Sequence, residues 1–117
     1  MSSVPIAIYN GQLAGSVATV YTVPANRRLV VTRATLLNTT STDRTVDIHK
    51  VPSGGSADAT NQILDAKVCE ADMTEPYIVT GLEKAVLGPG DTIDAGADSA
   101  TAVTLVISGI LFTVSSS

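Results

Sequence analysis

The sequence predicts an all-β chain: a single-domain β-sandwich or jelly roll of mostly antiparallel strands. Three observations carry this. Branched residues and threonine dominate the apolar and small polar content, with one Phe, three Tyr and no Trp, and β-branched side chains suit a pleated backbone. Short stretches alternate apolar and polar residues with a period of two, separated by Gly, Pro, Asn and Asp turns. Almost no stretch repeats at helical spacing. At 117 residues the length is that of one domain able to bury a core without disulfides or metal.

Residues 1–17 read as an N-terminal arm or short edge strand, in which Ile6 and Ile8 alternate with Ala7 and Tyr9 before an Asn10-Gly11 turn. Ala18 to Val23 is a short strand closed by Pro24-Ala25-Asn26, since proline removes a ladder donor and Asn tolerates turn geometry. Arg28 to Asn38 is the clearest long strand. Strict alternation places Val30, Thr32, Ala34 and Leu36 on one face and Leu29, Val31, Arg33, Thr35 and Leu37 on the other. After a polar turn, Arg44 to Val51 sets Val46 and Ile48 against Thr45, Asp47 and His49, which predicts one wet side. Pro52 to Asn61 reads as a long, mobile Gly/Ser/Ala/Asp loop.

Gln62 to Ala71 fits both a strand and one helical face, and is read as strand. Tyr77 to Thr80 and Ala85 to Leu87 are brief strands around Gly81, and Gly88-Pro89-Gly90-Asp91 is a strong turn signal. Thr92 to Asp94 resumes extended chain before a turn at Ala95 to Ser99. Thr101 to Val114 is apolar on both faces as far as Ile107, which predicts a central strand covered on both sides and bent at Ser108-Gly109. The sandwich thus spans residues 18–114, with a disordered tail at 115–117.

A net charge of −4 removes the electrostatic attraction on which nonspecific nucleic-acid binding depends. No segment approaches the length of an apolar span across a bilayer. Met1 to Ser3 lack a signal-peptide start, and Cys69 is the single cysteine, so synthesis in a cytoplasm is expected. Neither nucleic acid nor membrane is therefore expected as a partner.

Candidate chemistry is sparse. His49 is the only histidine; Asp47, two residues away, stands on the same strand face and is placed to orient the ring, but no nucleophile pattern accompanies them. Cys69 has no partner at metal or redox spacing and reads as a small buried hydrophobe. Asp91, Asp94 and Asp98 do not follow a calcium-loop pattern and read as polar turn residues, though Asp94 and Asp98 leave open an ion shared between two subunits. Ser53-Gly54-Gly55-Ser56 lacks the lysine and helix of a phosphate-binding loop. Asn38-Thr39-Thr40 matches a glycosylation sequon by chance. No catalytic residue, metal ligand or cofactor is assigned, and no enzyme is expected. Arg27 and Arg28, with Arg33 and Arg44, concentrate positive charge on an acidic chain, either as solvated turn charges or as a contact with an acidic neighbouring protein.

Four segments together resemble a known class. They are Tyr21-Thr22-Val23-Pro24-Ala25-Asn26, Val51-Pro52-Ser53-Gly54-Gly55-Ser56, Leu87-Gly88-Pro89-Gly90-Asp91-Thr92-Ile93, and Val103-Thr104-Leu105-Val106-Ile107-Ser108-Gly109-Ile110. Their order is similar to that in small virion proteins of tailed bacteriophages, of the capsid decoration (cement) type. The resemblance runs from about Ala18 to Ile110; the lead-in and Lys67 to Tyr77 give no match.

The resemblance implies a jelly-roll or β-sandwich subunit, often a homotrimer, on the exterior of the virion capsid. It would bind the major capsid protein and stabilise contacts between capsomers. In that setting Ile6, Ile8 and Tyr9 are expected to form an arm that packs on a neighbouring subunit or on the capsid protein, with Arg27, Arg28 and Arg44 as further interface residues. The alternatives are a tail, tail-fibre or head-tail connector module, and a glycan-binding β-sandwich, for which Tyr9, Tyr21, Tyr77 and Phe112 are few platforms. A cupin-like enzyme needs more histidines than this chain has.

Overall fold

The computed structural model describes residues 3–114, so the expected tail at 115–117 and the first two residues lie outside the described residues. Nine strands and no helix are found among the described residues: β1 (Ser3–Gln12), β2 (Ala18–Thr22), β3 (Arg27–Asn38), β4 (Arg44–Val51), β5 (Gln62–Cys69), β6 (Tyr77–Ile78), β7 (Val86–Leu87), β8 (Thr92–Ala97) and β9 (Val103–Thr113). They form two antiparallel sheets. The first runs β1-β9-β3-β6, with β7 also on β3; the second runs β2-β8-β4-β5.

With β6 and β7 taken as halves of one interrupted strand, this is jelly-roll order. The chain doubles back at the loop 52–61, so β1 pairs with β9, β2 with β8, β3 with β6 and β7, and β4 with β5. The core between the sheets is aliphatic: Leu29, Val31, Ala34 and Leu36 from β3, Val46 and Ile48 from β4, Ile93 from β8, and Val103, Leu105 and Ile107 from β9.

Turn chemistry follows the sequence. Asn26 adopts a φ of 65° where the Arg27 amide donates to the Pro24 carbonyl at 3.3 Å. Gly90, at φ 81°, follows Pro89 in a turn closed by Asp91 N donating to Gly88 O at 3.1 Å, the geometry of a type II turn.

Several expectations are corrected. The alternation of β3 breaks at a bulge between Val31 and Arg33, so Leu29 and Val31 share the core face with Ala34 and Leu36. Strict period two fails here because a bulge sets two consecutive residues, Thr32 and Arg33, outward. The irregularity expected at Ser108-Gly109 lies instead in the flanking strands, between Ala7 and Tyr9 on β1 and at Thr32 on β3. β8 runs to Ala97 rather than turning at Ala95, and the loop 13–17 crosses it where a Cβ on Gly96 would collide with Ser16 and Val17 backbone.

Residues 3–12 are the edge-strand form of the first segment, along β9. Ile8 is buried in this chain's own core, Ile6 and Tyr9 pack against it, and the Tyr9 hydroxyl donates to the Gln12 carbonyl at 3.2 Å. The expectation that Ile8 reaches a neighbouring subunit is thereby corrected. Gly109 explains the placement: its missing side chain leaves room for Ile8 Cδ1, which would stand 2.8 Å from a Cβ there.

Candidate interaction surface

Charge is divided between the two halves of the sandwich. The five strands of the first sheet carry Arg27, Arg28 and Arg33 and no Asp or Glu. In the second sheet Asp47, Asp65 and Asp94 are balanced by Arg44, Lys50 and Lys67, and the other acidic residues lie in loops.

The outward face of the first sheet is unlike an ordinary wet face. Pairing sets Pro5, Ile110, Val30 and Val86 in one row across β1, β9, β3 and β7, and Asn10, Val106, Thr35 and Ile78 in another. Val86 is 49% exposed, Val106 39% and Ile78 38%. Arg28 and Arg33, both exposed, project on the same side, paired with Phe112 and Ser108 of β9. Thr32 and Ser108 hydroxyls lie 3.3 Å apart between them. The exposed apolar side chains of this face are thus interleaved with Asn10, Thr32, Thr35 and Ser108. The expectation that β9 is covered on both sides holds for one side only: Val103, Leu105 and Ile107 are buried, while Val106 between them is not.

The predicted basic group is thereby split. Arg27 is half-buried at the end of β3, its Nη1 donating to Thr113 Oγ1 at 3.0 Å. Arg44 is in the second sheet opposite Cys69, with its Nε buried and unpartnered. Only Arg28 and Arg33 share the apolar face. In the sequence the signal for the apolar residues of that face is the two-sided apolar run of β9.

The remaining candidates have structural duties. Asn61 Nδ2 donates to Ser56 O at 2.9 Å and its Oδ1 accepts from Asp58 N at 3.1 Å. That orientation turns Oδ1 toward His49 Nδ1, 2.9 Å away, and the Asp58 carbonyl lies 3.0 Å from the same nitrogen. Two acceptors require Nδ1 to carry the proton. His49 is accordingly buried, not on a wet side, because the loop 52–61 folds onto it. Asp47 does not orient it: its carboxylate accepts from the Ala66 amide at 2.7 Å and holds the left-handed Ala66, φ 49°. The Asp91 carboxylate accepts from Ser53 and Gly88 amides, both at 2.9 Å, so the loop expected to be mobile is tied to the Gly88–Asp91 turn. Asp94 accepts from Thr92 Oγ1 at 2.9 Å.

Among the described residues no three His, Cys, Asp or Glu side chains converge as a metal site, and no pocket opens. Cys69 is buried and free, its thiol pKa pushed up by burial and partly offset by Lys67. Comparison with protein-family models, curated proteins and solved structures found no match.

Proposed function

We propose that this chain is a decoration (cement) subunit of a tailed-phage head, bound to the outer surface of the shell and bridging neighbouring copies of the major capsid protein. The observation that supports this reading best is the long, uncovered, apolar face of the first sheet, whose strands carry arginines and no acid. A jelly roll alone selects nothing, because the fold serves shells, lectins and enzymes alike. A jelly roll that leaves Ile78, Val86 and Val106 exposed on one sheet beside two arginines is suited to docking on another protein. Repeated over a shell, many modest contacts sum by avidity. A trimer exposed on the virion, as the resemblance implies, belongs to the same proposal.

The test is copy number. Purified particles carrying this chain are quantified by mass spectrometry against their major capsid protein. A ratio within a small factor of one is expected. A ratio one or two orders of magnitude lower would transfer the chain to the tail or connector, and absence from the particle would end both readings.

A further inference from the structure

We infer that the outward face of the first sheet is the docking surface for a different protein, one presenting an apolar surface with carboxylates that meet Arg28 and Arg33, and not for the same face of a second copy of this chain. The inference rests on the proposed function for its partner, and adds which face docks and what chemistry receives it.

Size comes first. β9 has eleven residues, so the face is about 36 Å long and, over β1, β9 and β3, about 14 Å wide, with the two-residue β6 and β7 beyond β3. That is roughly 500 Å², below the ~800 Å² per partner of a standard interface and suited to a modest contact repeated over many copies. Val30, Val86, Ile110 and Phe112 on one side and Val106 and Ile78 on the other supply apolar contacts, and Thr32 and Ser108 between them add little desolvation cost once paired.

Charge then selects the occupant. Two copies meeting face to face would bury Arg28 and Arg33 from each, four guanidinium groups, with no acidic residue in the first-sheet strands of either copy. Unpaired charge in a desolvated interface opposes association strongly. A partner surface carrying Asp or Glu at the matching positions reverses the sign, and arginine forks carboxylates in pairs. Phosphates of nucleic acid satisfy the arginines but leave the apolar rows facing a polar backbone, and the rest of the chain is strongly acidic. Two copies of this chain therefore do not pair through this face on both sides.

The experiment uses phage heads stripped of this chain, to which purified protein is added back and co-sedimented. Three proteins are compared with wild type: Arg28→Glu with Arg33→Glu, Val106→Glu, and Asp65→Lys on the exposed surface of β5 in the second sheet. All substituted side chains are exposed, and unchanged thermal melting verifies folding. Docking is expected to fall at least about tenfold for the arginine pair and for Val106→Glu, with Asp65→Lys binding as wild type and the oligomeric state unaltered in all three.

Wild-type docking with full binding by both face variants would overturn the face assignment and leave the decoration reading standing. Failure of wild type to dock would instead overturn that reading, and this inference with it. Two results would overturn the assigned occupant: isolated chains associating through a contact that Val106→Glu disrupts, and docking that disappears when DNA is removed from intact shells.

Discussion

Asn38 ends β3 with its amide turned into the core, 0% exposed, and every polar atom of that amide is used. Nδ2 donates to the Thr42 and Cys69 carbonyls, each at 2.9 Å, while Oδ1 accepts from Thr40 N at 3.1 Å and Thr40 Oγ1 at 2.6 Å. One side chain thus shapes the turn into β4 and ties it to the end of β5. Asn38→Leu keeps the volume and strands these partners, so a loss on the order of 3 kcal/mol in urea unfolding is expected; a loss below about 1 kcal/mol would show that the turn satisfies itself. The sequon reading of Asn38 ends here too, since its nitrogen is committed to two carbonyls. Cys69 adds a pH dependence. Its folded pKa is raised, so above about pH 8.5 the unfolded chain loses a proton that the native state retains. Stability should therefore fall as pH rises past that value and be unaffected by Cys69 below it. Urea midpoints at pH 7 and 10 should show a smaller alkaline fall in Cys69→Val than in wild type; an equal fall would assign it to another group, Tyr21 being raised by burial as well.

Strands and turns were legible wherever a local rule held. β2, β4, β5, β6, β7 and β9 were found near their expected bounds because alternation and Gly/Pro punctuation are local properties. Bulges were not, because an extra residue is favoured by what lies across the sheet. The bulge at Ile8 exists since Gly109 on β9 leaves a space the isoleucine fills. For the same reason β1 is no appendage: it pairs with β9 from Ser3 to Gln12 and contributes Ile8 to the core. Deleting residues 1–12 should cost about 3 kcal/mol or more, on the order of 10 °C in thermal midpoint, and uncover the edge of β9 to aggregation. An unchanged melting curve would restore the independent arm.

Across the assembled sandwich, the division of charge is the property with functional weight. Three arginines and no acid in the strands of one sheet, against Arg44, Lys50 and Lys67 balancing Asp47, Asp65 and Asp94 in the other with the remaining acids in loops, give the molecule two unlike sides although its net charge of −4 suggests a uniformly acidic one. Copy number in the particle and the docking of face variants both test this arrangement. They separate cleanly, since abundance depends on where the protein resides and docking on which side it presents.

Composition and period-two patterning were enough to specify an all-β chain, most of its strands and its main turns, because those depend on neighbours one or two residues apart. They also marked β9 as apolar on both sides. Which β9 side chains face the core depends on long-range pairing: β1 and β3, separated from β9 by most of the chain, flank it and set the register. The same pairing brought Arg28 and Arg33 onto one face, carried Arg44 to the opposite sheet and drew Ile8 inward, since sequence spacing between strands carries no information about which of them become neighbours.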